Sequence, residues 1–151
     1  MTRAQIPCTE KEADHDHDQR QPLRSLGFGV PWEDAANYSQ AVRAGNLLFI
    51  SGQLSHTPDG TFLHAGDFEG QATVTLENLD RVLAEFGAER TDIVEVNVFI
   101  VDLRAHFDAA LAGVKRYFGD HRPANNTIGV DALAFPEQLI EIAATVVLPE
   151  S

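Results

Sequence analysis

Hydrophobic residues in the middle of the chain recur at steps of three and four positions in two separate stretches. In residues 67–86 this spacing predicts an amphipathic helix that Gly87 ends, because glycine readily takes the positive φ of a helix C-terminus. Residues 104–118 show the same pattern, followed by Gly119. The predicted inner stripes are Phe68, Ala72, Leu76, Leu79, Leu83 and Phe86 in the first helix, and Phe107, Ala110, Leu111, Val114, Tyr117 and Phe118 in the second.

Alternating apolar and polar residues predict five strands around these helices. Residues 39–44 and 47–53 form a hairpin across Gly45-Asn46, a pair that supplies the positive φ of a tight turn. Residues 92–102, 126–133 and 138–148 supply the other three strands. The side chains predicted to face the helices are Val94, Val96, Val98, Ile100, Ile140, Ile142 and Ala144, and those predicted to face away are Glu95, Asn97, Phe99 and Glu141.

The order β-β-α-β-α-β-β predicts an α+β fold, with one sheet and both helices on one face. The other face of that sheet is too apolar for contact with water, which favours an oligomer that covers it. The residues that make it apolar are Phe99, Val101, Leu139, Ala143 and Val147.

The N-terminal residues differ in composition from the rest of the chain. Residues 1–24 are polar and acidic, so we predict a flexible leader ahead of a single domain over 25–151. The tract Asp14-His15-Asp16-His17-Asp18 has metal-ligand residue types, but a solvated tail is favoured because a mobile segment fixes no coordination geometry. Glycine and proline in residues 26–32 predict an extended segment rather than a helix, anchored on the domain by Trp32.

Charge and cysteine content narrow the classes of partner. A formal net charge of −12 argues against nucleic acid and against anionic membranes, since both require clustered cations on the protein. A small anionic substrate is still compatible with that charge. The single cysteine, Cys8, gives no disulfide framework, and no apolar run could span a bilayer. A cytoplasmic protein is the expectation.

Several segments, in this order along the chain, resemble the Rid (YjgF-like, L-PSP) family of small trimeric enamine/imine deaminases. The resemblance extends over most of the predicted domain, so it is more specific than any one short motif. The segments that carry it are Tyr38-Ser39-Gln40-Ala41-Val42, Leu48-Phe49-Ile50-Ser51-Gly52-Gln53-Leu54, Gln71, Thr75-Leu76-Glu77-Asn78-Leu79, residues 92–102, Arg122-Pro123-Ala124 and residues 136–142.

The resemblance implies a chorismate-mutase-like fold assembled as a homotrimer, with the sheets forming an inner barrel and three clefts between neighbouring subunits. In deaminating members of the family, the cleft binds a 2-imino or 2-enamino acid, and water replaces ammonia to leave a 2-keto acid. Neither a metal nor an organic cofactor is expected to take part.

The resemblance also assigns roles to individual residues. Glu141 matches the glutamate that positions the attacking water, although it could also be a strand residue that meets solvent or a neighbour's arginine. Ser51 and Gly52 match the segment whose backbone touches substrate, with a simple bulge or strand end as the alternative. Tyr38 matches the tyrosine that lines the cleft, or it seals a subunit contact.

The chain departs from the family at Asn125, where active members carry the arginine that binds the substrate carboxylate. Asn125 and the nearby Thr127 are therefore candidate substrate-binding residues. An amide lacks the charge and fork of a guanidinium, a deficit on the order of 1.5–3 kcal/mol, or at least about tenfold in affinity. Substitutes for the missing clamp would be Arg122, or Arg43 or Arg116 from a neighbouring subunit, and solvent-exposed or interfacial roles are favoured for all three.

Two histidines follow the predicted hairpin. His56 and His64 would rim the cleft, and imidazole suits proton transfer, but plain surface positions are favoured for both. The sequence thus predicts a hydrolase or deaminase acting on an enamine, an imine or a related small metabolite, with a substrate other than the usual 2-imino acids. The alternative is a non-catalytic trimeric protein that binds a small molecule or has a regulatory role.

Overall fold

A computed structural model of the chain describes residues 21–150, which build one six-stranded sheet in the order β1-β2-β3-β6-β4-β5. Strands β4 and β5 pair in parallel, and all other neighbouring strands are antiparallel. The strands are β1 (Arg24–Leu26), β2 (Ala41–Ala44), β3 (Leu47–Gln53), β4 (Ile93–Val101), β5 (Ala124–Val130) and β6 (Ile140–Val147), and the helices are α1 (Pro31–Ala36), α2 (Phe68–Glu85) and α3 (Leu103–Phe118).

The predicted α+β architecture is confirmed, with α2 and α3 packed on one face of the sheet. The hairpin of β2 and β3 turns at Gly45, whose φ is +64°. Helices α2 and α3 are followed by Gly87 and Gly119, with φ values of +64° and +59°. The leader residues 1–20, with Cys8 and the Asp14–Asp18 tract, lie outside the described part of the chain. Within the described part, no helix is long and apolar enough to cross a membrane.

Strand β1 and helix α1 precede the predicted hairpin. The prediction that residues 26–32 are extended is therefore wrong at its C-terminal end, where α1 begins. Pro31 begins α1, where its fixed φ suits the first helical turn and its missing N–H costs no hydrogen bond. Asn37 ends the helix in the left-handed region at φ 52°. One and a half turns carry no detectable hydrophobic period, which is why the sequence pattern missed this helix.

Helix α2 buries polar residues that its hydrophobic stripe did not predict. The helix starts at the N-cap Asp67, whose carboxylate accepts a hydrogen bond from the Gly70 N–H at 3.2 Å. Gln71, Thr75 and Asn78 are buried along with its apolar stripe. The amide of Gln71 binds the backbone of His64, Glu137 and Leu139 at 2.8–2.9 Å. Helix α2 therefore ties two loops to the sheet by hydrogen bonds.

Four side chains have orientations that differ from those predicted. Val94 is 44% exposed, because a register shift between Ile93 and Glu95 turns its side chain away from the helices. Phe107 and Leu111 are also exposed, since α3 packs through the narrower stripe Ala110, Tyr117 and Phe118. Leu139 packs against the core instead of facing outward.

The sheet face opposite the helices carries exposed apolar side chains in the single chain. Phe49 is 47% exposed there, and Val147 at the end of β6 is 37% exposed. Phe99, Val101 and Ala143 are only partly buried. This face matches the apolar outer surface that the alternation in the sequence predicted.

Candidate functional site

Glu141 lies on β6, on the sheet face away from the helices, opposite Phe99 of β4. On its other side the pairing of β3 with β6 shifts register between Ile50 and Gln53. This irregularity is a β-bulge, a feature that re-aims side chains next to many active sites. It brings Ser51 and Gly52 beside Glu141, and the Gln53 side-chain amide stabilises it by donating to the Ser51 carbonyl at 3.0 Å.

Gly52 makes room for the Glu141 side chain. A Cβ atom at position 52 would lie 2.5 Å from Cδ and 2.7 Å from Cγ of Glu141, closer than carbon atoms can approach. Glycine is thus required at this position by space and not by a positive φ. The carboxylate consequently lies directly against the main chain of β3.

The surroundings of Glu141 shift the pKa of its carboxyl group. Burial raises the pKa of Glu141, and a hydrogen bond from Gln138 partly offsets that rise. The Nε2 group of Gln138 donates to Oε2 of Glu141 at 3.2 Å, and Gln138 itself is 2% exposed. Sequence reasoning missed Gln138, although a polar residue at an inward position three residues before Glu141 was a usable signal.

Ser51 and Tyr38 border the same space. The Ser51 hydroxyl donates to the Ser39 carbonyl at 2.7 Å, so its side chain is engaged in fixing the backbone. Tyr38 is partly buried, and burial raises the pKa of its phenol, with repulsion from Glu33 and Glu141 adding to the effect. The phenol is therefore neutral and able to donate a hydrogen bond at physiological pH.

Helix α1 supplies an apolar wall that the sequence did not predict. Trp32 packs edge-on against Phe135, with ring centroids 5.4 Å apart, and against His56 at 5.1 Å. The carboxylate of Glu33 holds the helix in place by accepting hydrogen bonds from the N–H groups of Phe28 at 2.7 Å and Gly29 at 3.0 Å. Trp32 thus anchors the segment as expected, but from a helix.

These groups enclose a cavity of about 490 Å³ that we name the Glu141 cleft. Its volume suits a small organic molecule. Its lining residues are Trp32, Ala36, Tyr38, Ser51, Gly52, Leu54, Ala134, Phe135 and Glu141.

Asn125 and Thr127 do not meet Glu141 within one chain. Both lie on the edge strand β5, which β4 separates from β6. They pair with Val96 and Val98 and so share the helix-covered side of the sheet, whereas Glu141 is on the opposite side. The Thr127 hydroxyl donates to Oδ1 of Asn125 at 3.0 Å.

The candidate substitute arginines also lie away from the cleft. Arg122 is exposed ahead of β5, Arg116 is exposed on α3, and the Nε group of Arg43 donates to the Gly45 carbonyl at 2.8 Å. None of the three lines the Glu141 cleft as the described residues form it. Among residues 21–150 of one chain, no arginine takes the place of the carboxylate clamp that the resemblance implies.

The two loop histidines have different environments. His64 is exposed, as expected for a surface residue. The surface assignment is wrong for His56, which is 3% exposed behind Trp32, because the loop folds back and pairs His56 with Phe62. Burial lowers the pKa of His56, so its ring is neutral at physiological pH.

A second groove of about 480 Å³ runs between α2 and α3, on the other side of the molecule from Glu141. Two of its charged groups bind each other: the guanidinium of Arg90 contacts Asp80 at 2.6 and 3.0 Å, and the Tyr117 hydroxyl donates to Asp80 at 2.7 Å. We interpret this network as one that fixes the two helices. In residues 21–150, no group of three or more His, Cys, Asp or Glu side chains is placed to hold a metal ion.

The sheet order, the two helices on one face and the carboxylate at the β3 bulge define an α+β subunit of the chorismate-mutase-like class. Residues 31–148 match the family model described as "Endoribonuclease L-PSP". The chain therefore belongs to the endoribonuclease L-PSP family, which includes the Rid and YjgF-like proteins. The predicted family resemblance is confirmed.

Individual relatives support this membership. The chain is 32% identical over 127 residues to a 2-iminobutanoate/2-iminopropanoate deaminase from Dermatophagoides farinae. The aligned region covers 84% of this chain and 98% of the relative. It is 37% identical over 101 residues to the mitochondrial protein MMF1 of Saccharomyces cerevisiae, covering 66% and 67%. A YjgF/YER057c/UK114 family structure from Mycobacterium tuberculosis superposes with a TM-score of 0.74 at 25% identity, covering 84% of this chain and 100% of the other.

Proposed function

We propose that this protein is a cofactor-independent hydrolase that deaminates an enamine or imine in the Glu141 cleft. The observation that carries the proposal is the Glu141 carboxyl group, half-buried against Gly52 and bound by Gln138 at one oxygen only. A carboxylate so placed can hold a water molecule and take its proton as the water attacks. The relative from Dermatophagoides farinae, named for its deaminase activity, supports the same reaction class.

Other groups of the cleft would position the substrate. The neutral phenol of Tyr38 can donate a hydrogen bond, and the opened backbone at Ser51 and Gly52 lets a small molecule approach the main chain. We propose that the protein is a homotrimer whose neighbouring subunits close the cleft, which would put β5 with Asn125 and Thr127 within reach of another subunit's Glu141.

The usual 2-imino acids are not the proposed substrates. Asn125 replaces the arginine that clamps their carboxylate, and no lysine or arginine from residues 21–150 lines the cleft. An amide gives up at least about tenfold in affinity for a carboxylate relative to a guanidinium. A second candidate function follows from the same observation: a trimeric binding protein that keeps the cleft without turnover.

The proposal is tested by measuring ammonia release from imines generated in situ by an amine or amino acid oxidase. We expect Glu141→Gln to lower the rate by about 100-fold or more, as loss of a general base does. The matched control is Glu95→Gln, which removes a carboxylate on β4 that lies outside the cleft. Equal rates for wild type and Glu141→Gln would contradict the proposed role of Glu141.

A pair of glycine substitutions tests the close approach at the bulge. Gly52→Ala should displace the Glu141 carboxylate and lower ammonia release by at least about tenfold, because a 1 Å misplacement costs that much or more. Gly113→Ala in α3 is the control, since nothing lies within 4 Å of a Cβ there. The control should keep full activity and gain about 0.5–1 kcal/mol of stability as a helical alanine.

An Asn125→Arg variant separates the two candidate functions. If this variant releases ammonia from 2-iminopropanoate and wild type does not, the cleft can catalyse deamination and the wild-type protein acts on a different class of substrate. Silence of both proteins on every imine tested would instead favour the binding protein.

A further inference from the structure

The Glu141 cleft combines one acidic side chain with aromatic walls and, among the described residues that line it, no basic side chain. Glu141 is the only Asp, Glu, Lys or Arg among the described residues that line the cleft. A ligand carboxylate would therefore meet a like charge with no counterion, an arrangement that interfaces use to reject ligands. A ligand cation would instead meet the carboxylate.

Three aromatic rings favour the same ligand charge. Trp32, Tyr38 and Phe135 all line the cleft, and the face of an aromatic ring attracts a cation placed over it. Tryptophan gives the strongest attraction of the three ring types. Aromatic residues beside a carboxylate are the elements from which binding sites for organic ammonium groups are built.

The rings are held in place from behind. Phe62 stacks on Phe135 with centroids 5.0 Å apart and planes 5° from parallel, and His56 meets Trp32 at 88°. Because His56 is buried and its pKa is lowered, it adds no positive charge behind the tryptophan at neutral pH. A fixed, uncharged aromatic wall loses little entropy when a ligand binds.

We infer that the Glu141 cleft takes a protonated imine, or the enamine that tautomerises to it, on an apolar or aromatic carbon skeleton without a carboxylate. The inference rests on the proposed function and specifies its substrate class. Such a compound arises when a primary amine, rather than an amino acid, is oxidised at its α-carbon. The reaction that supplies the substrate is accordingly an amine oxidation or dehydrogenation.

The hydrolysis balances without a further reactant: R₂C=NH₂⁺ + H₂O → R₂C=O + NH₄⁺. Water forms the C–O bond while the C=N π electrons move to nitrogen. Glu141 takes a proton from that water and passes it to the nitrogen, which gives R₂C(OH)–NH₃⁺. The C–N bond then breaks with its electron pair on nitrogen, and as the carbonyl forms, Glu141 passes the hydroxyl proton to the departing ammonia, which leaves as ammonium. The carboxylate ends in the state in which it began.

Trp32 makes the inference measurable, because it is the only tryptophan of the chain and lines the cleft. Its fluorescence is excited at a wavelength that phenyl rings do not absorb and is followed during titration with three ligands. The ligands share a phenylethyl skeleton and differ in charge. The probes are 2-phenylethylamine as the ammonium, 2-phenylethanol as the neutral form and 3-phenylpropanoate as the anion. We expect the ammonium to bind about tenfold more tightly than the alcohol, and the carboxylate to bind more weakly than both.

Two variants identify the groups responsible. Glu141→Gln should remove most of the preference for the ammonium over the alcohol while the protein stays folded. Phe135→Leu keeps the apolar volume but removes a ring face, so it should weaken the ammonium severalfold more than the alcohol. The inference is overturned if the carboxylate binds as tightly as the ammonium, if Glu141→Gln keeps the full preference, or if no response to the ammonium appears at millimolar concentration.

The outcomes separate this inference from the proposed function. If the protein prefers the ammonium but releases ammonia from no imine, the cleft binds cations as inferred and the proposed hydrolase function is wrong. Rapid turnover of 2-iminopropanoate, with binding of 3-phenylpropanoate, would retain the hydrolase and reject the substrate class.

Discussion

At the residue scale, Glu141 occupies a position that is unfavourable for an ionised side chain. Its carboxyl group is half-buried, receives one hydrogen bond from Gln138, and lies against backbone instead of a cation. A purely structural position of this kind would suit a neutral glutamine better, because burying an ionised carboxylate is costly. Retaining an ionisable group there is typical of an active site, where pKa values are shifted toward the working pH.

This arrangement predicts a pH dependence of stability. The pKa of Glu141 in the folded chain is raised above the ordinary glutamate value of 4.5, so over a range of pH the folded protein keeps a proton that the unfolded chain has released. The contribution of Glu141 to stability is therefore present below pH 4.5 and is lost as the pH rises through the raised pKa. Glutamine does not titrate, so Glu141→Gln should not lose stability by this route as the pH rises. We expect its melting temperature to fall less than that of wild type toward neutral pH.

Thermal unfolding in a series of buffers measures the difference. Other groups that titrate are common to both proteins, so only the difference between the two curves is interpreted. Glu95→Gln should show the same pH dependence as wild type. A wild-type curve that runs parallel to that of Glu141→Gln across the whole range would show that the pKa of Glu141 is not raised.

At the scale of elements, the first residues of the loop after β3 are bound by one side chain of helix α2. The amide of Asn78 in α2 donates to the carbonyls of Leu54 at 2.9 Å and His56 at 3.2 Å, and all of these groups are buried or nearly so. Removing the amide leaves buried carbonyls without partners, so Asn78→Ala should lower the free energy of unfolding by about 1–3 kcal/mol. Denaturant titration measures this change.

A substitution on the exposed side of the same helix serves as the control. Thr73→Ala removes a hydroxyl that bonds only to its own helix, and should change stability by no more than about 0.5 kcal/mol. Hydrogen exchange in Asn78→Ala should increase first in residues 54–64, the loop that carries His56. Uniform acceleration across the whole sheet would instead mean that Asn78 contributes to global packing and does not anchor the loop.

The elements differ in how far the sequence could predict them. Helix α2 and strand β6 have long, regular periods, and their existence and their inward-facing side chains were predicted correctly. The bulge beside Val94 and the short helix α1 were not, because a one-residue shift and a six-residue helix leave no periodic signal. Predictions failed where tertiary contacts override local pattern.

The candidate site likewise contains residues that the sequence predicted and residues that it did not. The family resemblance pointed to Glu141, Gly52 and Tyr38, and the structure brings these three together. It did not point to Trp32 or Phe135, which come from α1 and from the loop before β6. Only the folded chain shows that these two distant segments meet through their rings.

At the scale of the whole molecule, the outer sheet face requires a covering. Phe49, Leu47 and Val147 are each more than a third exposed in the single chain, on the sheet face opposite the two long helices α2 and α3. Exposed apolar surface of this kind marks a protein interface in most soluble proteins. Burying it in a closed trimer would also bring each Glu141 cleft next to a neighbouring subunit.

We expect the protein in solution to have three times the 16.5 kDa mass of the chain, measured by light scattering during gel filtration. Phe49→Glu should shift that mass toward the monomer, because it places a charge on the face that the trimer would bury. Phe107→Glu is a matched control, since Phe107 is 43% exposed, close to the 47% of Phe49, but lies on α3. Wild type that elutes as a monomer at micromolar concentration would contradict the trimer, and dissociation by Phe107→Glu alone would place the interface on the helices.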